Sequence, residues 1–120
     1  MDAETKAALY DVKEACQIIA DFIEGSTLAN YSANLMLKSA VERQFITIGE
    51  ALNRAIRQKP ELREVITDTR KIIDFRNFLT HSYFSISDKT VWEVVHLKLP
   101  TLLQEVTALL EDTAPGTKTE

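Results

Sequence analysis

Four stretches of this chain repeat an apolar side chain every three to four residues, the period of a helix that hides one face. With 3 Gly and 3 Pro in 120 residues, the chain lacks the turn material of an all-β fold. The first stretch, residues 2–24, carries Ala8, Val12, Ala15, Cys16, Ile19, Phe22 and Ile23 as its stripe. It stops at Gly25-Ser26, with Gly25 suited to the C′ position. The second, residues 31–58, places Leu35, Val41, Phe45, Ile48, Leu52 and Ile56 on one side and is followed by Pro60. Gly49 in its middle costs about 1 kcal/mol relative to Ala, and close approach of another helix is the simplest reason for it. The third stretch starts near Thr67 or Asp68, either able to cap it, and carries Ile72, Ile73, Phe75 and Leu79. The fourth follows the cap pair Ser87-Asp88 and runs to about residue 111, with a kink expected at Pro100. These elements predict an all-α fold, an antiparallel four-helix bundle, with residues 27–34 available as a short extra helix. The domain is expected to occupy residues 1–112, leaving 113–120 as a flexible polar tail.

Charge and cysteine usage narrow the setting. The net charge of −4 argues against a general polyanion binder, yet residues 54–76 hold seven basic and four acidic side chains, a local excess that can attract phosphate. The single cysteine, Cys16, sits among apolar residues and reads as a buried thiol in a reducing compartment. The N-terminal residues lack the basic flank and apolar core of a signal peptide, and no apolar run nears the roughly 20 residues of a membrane span, so a cytoplasmic location is expected. No metal-site spacing, glycine-rich phosphate loop or Ser-His-Asp arrangement occurs, and no cofactor is expected.

The stretch with chemical content is Arg76-Asn77-Phe78-Leu79-Thr80-His81-Ser82-Tyr83. A ribonuclease that works without metal needs a base for the 2′-hydroxyl proton and a cation for the phosphate. Histidine, which titrates near neutrality, fits the first need, and the planar fork of arginine fits the second. Only RNA carries the 2′-hydroxyl. On an ideal helix, residues five apart lie about 140° apart around the axis, so Arg76 and His81 do not share a face, whereas Arg76 and Tyr83 do. Either the helix ends near Thr80 and His81 turns back, or a second chain completes the site. The structural alternatives are a helix-end His81 bonded to a carbonyl, an Arg76 paired with a surface carboxylate, and a Tyr83 at the edge of the core. Glu50 could pair with Arg43, Arg54 or Arg76, and both Arg43 and Glu50 read as structural or supporting residues. His96, with no partner motif, reads as structural.

An Arg followed by four residues, a His, one residue and a Tyr resembles the signature of the HepT-like branch of the HEPN ribonuclease superfamily. The run Ala40-Val41-Glu42-Arg43-Gln44-Phe45-Ile46-Thr47-Ile48-Gly49-Glu50-Ala51 resembles that family's second helix, and Asp88-Lys89-Thr90-Val91-Trp92 with Leu99-Pro100-Thr101-Leu102 resembles its last. The resemblance implies a HEPN-like bundle and a toxin-type, metal-independent endoribonuclease. Its catalytic residues would be Arg76 and His81, with Asn77 and Tyr83 touching RNA or supporting the site. The expected product ends are a 2′,3′-cyclic phosphate and a 5′-hydroxyl. The resemblance further implies a homodimer with two motif copies in one cleft, and an MNT-type nucleotidyltransferase antitoxin that attaches AMP to Tyr83. The competing functions are a non-catalytic module that holds nucleotide or substrate for such a nucleotidyltransferase, and a purely structural helical dimer.

Overall fold

Short polar side chains start most of the helices. The structure, a computed structural model, describes residues 1–81 and 86–112, and among them are seven helices and no strand. Asp2 caps α1 (Ala3–Ile23), its carboxylate accepting from the Thr5 amide at 2.7 Å. The helix ends at Glu24, and Gly25 follows in the left-handed conformation at φ 77°, which glycine adopts without cost. Thr27 and Asn30 then form a reciprocal capping box that starts α2 (Leu28–Ser32). Asn34 caps α3 (Leu35–Gln58) through the Leu37 amide. The short extra helix expected within residues 27–34 is thus present as α2, and the long helix begins only at Leu35, because Asn34 takes extended backbone to cap it.

Two other boundaries depart from expectation. A four-residue helix, α4 (Leu62–Val65), fills the link after Pro60 and buries Leu62, while Ile66 is buried just beyond it. The fourth stretch is α6 (Asp88–Leu97) and α7 (Leu99–Asp112), divided at Lys98, not one kinked helix. Pro100 lies in the first turn of α7, where its missing N–H removes no helical bond. Ser87 caps α6 as expected. Asp68 stands immediately before α5 (Thr69–His81), and its carbonyl accepts from the Ile72 amide at 3.0 Å. Thr67 donates its amide and hydroxyl to the Glu105 carboxylate, at 2.9 and 2.7 Å. Asp68, at φ 61°, accepts from Lys98 at 2.7 Å. The proposed tail, 113–120, lies outside the described residues.

The core lies where α1 packs against both α3 and α7, with α5 laid along α3 and α2 against α6. Val12, Ile19, Val41, Ile48, Leu52 and Val106 are among its fully buried members. Cys16 is buried there too, and burial pushes its thiol up to about 12. Phe75 meets Phe45 edge-on at 5.1 Å, which fixes α5 on α3. The expected stripes were too generous at two places: Phe22 is 43% exposed and Leu35 75%, because no described element covers those faces. The His96 ring lies 4.6 Å from Trp92, and its Nδ1 is 2.8 Å from the Trp92 carbonyl oxygen. No described helix is long and apolar enough to cross a membrane.

One polar cluster beside this core predicts a pH effect. Tyr31 is fully buried against Trp92, and its hydroxyl has no hydrogen-bond partner among the described residues. Burial, with help from the charges of Glu42 and Asp88, pushes its phenol above the ordinary range. Glu42 is itself raised, by burial and then by Asp88, with Lys38 opposing. A carboxyl raised in the folded state costs stability where it is charged, and that cost vanishes once pH falls below its unfolded value. Glu42→Gln should therefore raise the melting temperature at pH 7, with a gain that shrinks as pH drops through the ordinary glutamate range. A gain that persists unchanged at pH 3 would contradict this origin.

Candidate active site

The centre of the candidate site is a close contact between two helices. Gly49 sits buried on α3, and a Cβ built there would overlap the Cβ and Cγ of Arg76 and lie 3.3 Å from its Cδ. The expectation that Gly49 permits close approach is met, and the group it admits is the arginine of the motif. The Arg76 stem lies in the notch that glycine leaves, next to Glu50, the residue its guanidinium reaches.

Both terminal nitrogens of that guanidinium are fixed. One Nη donates to Glu50 Oε2 at 2.9 Å, and the other donates to Asn77 Oδ1 at 2.7 Å. Of the three partners open to Glu50, the structure selects Arg76; Arg54 instead pairs with Asp11 at 2.8 Å. Arg43 contributes its carbonyl to the Thr47 hydroxyl. Each terminal nitrogen of an arginine carries two hydrogens, so one N–H on each is left over from these two bonds. The Arg76 side chain is 23% exposed and its Nε is buried without a partner among the described residues. Beside it a groove of about 540 Å3 opens between α3 and α5, lined by Glu50, Asn53, Arg57 and Asn77 among others.

Arg76, Asn77 and His81 lie on one helix, and Arg76 and Asn77 are bonded to each other, but His81 is not brought to them. The helix continues through His81, so the backbone does not turn back at Thr80. His81 is exposed on the last turn, about 140° around the axis from Arg76. Tyr83 lies outside the described residues. No group of three or more His, Cys, Asp or Glu among the described residues could hold a metal ion. Sequence reasoning missed Asn53 and gave no role to Arg57, Arg63 or Arg70 singly. The basic excess over residues 54–76 was their signal, and the fold turns that stretch into the two walls of a groove.

The sequence matches a ribonuclease family. The model of the Ribonuclease HepT-like family matches residues 12–109, and the chain belongs to that family. It is similar to the protein named Putative RNase MJ1380 of Methanocaldococcus jannaschii, 30% identical over 86% of this chain and 94% of that one. Putative RNase MJ1216 of the same organism is 29% identical over 91% of this chain and 89% of its own length. Putative RNase TTE0752 of Caldanaerobacter subterraneus subsp. tengcongensis is 22% identical over 86% of this chain and 91% of its own. No solved structure matches at comparable stringency.

Proposed function

We propose that this chain is a metal-independent endoribonuclease, the toxin of a toxin–antitoxin pair, acting in the cytoplasm as a homodimer. The observation that carries this reading is the seating of Arg76: its stem is locked against Gly49, its fork is held by Glu50 and Asn77, and two N–H groups remain to offer. A cation held this way before substrate arrives stabilises developing phosphate charge without reorganisation. His81 takes the proton from the 2′-hydroxyl as the 2′ oxygen bonds to phosphorus. The bond from phosphorus to the 5′ oxygen breaks, and that oxygen leaves as a hydroxyl, protonated by an imidazolium or by water. The products are a 2′,3′-cyclic phosphate and a 5′-hydroxyl.

Because Arg76 and His81 face different directions on α5, a two-fold axis that sets Arg76 against the partner's His81 gives the shortest route to a complete site. Phe78, one turn before His81 and 49% exposed, supplies apolar surface for that contact. Purified protein should sediment as a dimer at micromolar concentration and cut single-stranded RNA in excess chelator. A monomer that leaves RNA intact but binds nucleotide would favour the non-catalytic module instead.

In the same reading the partner is an MNT-type nucleotidyltransferase that joins AMP to Tyr83. The phenol oxygen attacks the α-phosphorus of ATP and pyrophosphate leaves. The added phosphodiester brings bulk and negative charge to the motif, opposing the approach of RNA phosphate. Mass spectrometry of the parent and Tyr83→Phe after incubation with that enzyme and ATP tests it; an identical adduct on both would place the modification elsewhere.

A further inference from the structure

We propose that the groove between α3 and α5 is a track for the backbone of single-stranded RNA, with Arg57, Arg63 and Arg70 holding phosphates at a distance from Arg76. This rests on the ribonuclease reading, whose substrate path it defines. The hollow beside Arg76 does not end there. A second, of about 490 Å3, continues it toward α4 and shares Asn53, Ile73 and Asn77 as common walls. Arg57 lines the first hollow, and Arg63 and Arg70 line the second.

The charges in this groove are unbalanced in a protein whose net charge is −4. Its two carboxylates are Glu50, already bonded to Arg76, and Asp74. Among its arginines, Arg54 is paired with Asp11, whereas Arg57, Arg63 and Arg70 form no ion pair among the described residues. Exposed guanidinium groups lining one concave strip are suited to successive phosphates. Asn53 and Asn77 add amides able to meet a 2′-hydroxyl or a base edge, and Ile73 gives an apolar floor. A cleft between two packed helices admits one strand, whereas duplex RNA is bound across the breadth of its minor groove.

The test is fluorescence anisotropy of a labelled, uncleavable 2′-O-methyl RNA strand, titrated with the parent protein and with the Arg63→Gln/Arg70→Gln double variant at several salt concentrations. Binding should weaken about tenfold in the variant, and the slope of log affinity against log salt should become shallower by about 1.4, as expected for two lost single-strand phosphate contacts. Arg57→Gln, on the long α3, should give about half that change in slope and guards against a folding defect at α4. Equal affinity and equal slope for parent and variants would overturn the track. So would a parent that ignores RNA, or that binds an acidic protein partner there instead. A parent that binds RNA with this arginine dependence but never cleaves it would leave the track standing and remove the ribonuclease reading.

Discussion

Replacing His81 with alanine should slow RNA cleavage by about 10²- to 10⁴-fold, the usual cost of a general base, and Arg76→Ala should fall at least as far. The two variants should differ in stability. His81 is exposed on the last turn of α5 with no partner among the described residues, so its removal should leave the melting temperature unchanged. Arg76→Ala loses an ion pair with a half-exposed Glu50, a contribution of at most about 1 kcal/mol, together with the packing of its stem on Gly49. Arg76→Lys keeps the charge but not the fork, so it cannot hold Glu50 and Asn77 and still present two N–H groups; it should stay well below the parent. Parent-like cleavage by His81→Ala, measured on protein with an unchanged melting temperature, would remove histidine from the mechanism.

Gly49→Ala should both destabilise the fold and damage the site. In an open helix that change gains about 1 kcal/mol. Here the new methyl would occupy the space of the Arg76 Cβ and Cγ, and overpacking of this kind typically costs about 1–3 kcal/mol. Rotating the end of the Arg76 side chain does not relieve the clash, because its Cβ is fixed to the α5 backbone. The two helices must separate, which pulls the guanidinium away from Glu50. The melting temperature and cleavage should therefore fall together. In an Arg76→Gly background, where the obstructing atoms are gone, the same Gly49→Ala change should be neutral or stabilising. A higher melting temperature with full cleavage in the single variant would show that α3 and α5 are not held this closely.

The contact of Gly49 with Arg76 also marks where sequence reasoning stopped. A glycine inside a strong helical pattern announced a neighbour, but helical periodicity relates residues within one helix and cannot say which residue of another helix arrives. Glu50 kept three possible partners for the same reason, and the partner it takes lies on α5. The bundle itself was legible because Val12, Ile19, Ile48 and Leu52 repeat at the helical period and are all buried. Phe22 and Leu35 obey that period and remain exposed, since a stripe says that a face is apolar and not that anything covers it. The four residues of α4 are too few to show a period, and it is the burial of Leu62 that reveals the turn. The division at Lys98 escaped notice because Pro100 suggested a kink at itself, whereas proline is accommodated in the first turn of a new helix. For the motif, the spacing of Arg76 and His81 already indicated different faces. The helix that runs through His81 removes the simplest way for one chain to reconcile them.

The most direct test of the account is the chemistry of the cut ends. Purified protein should be incubated in excess chelator with a single-stranded RNA, and with the same strand carrying a 2′-O-methyl group at each mapped cut position. The account predicts fragments ending in a 2′,3′-cyclic phosphate and a 5′-hydroxyl from the first strand, and no cleavage at the blocked positions of the second. Cleavage that continues at blocked positions, or that leaves a 5′-phosphate, would contradict attack by the 2′-hydroxyl and with it the roles given to Arg76 and His81.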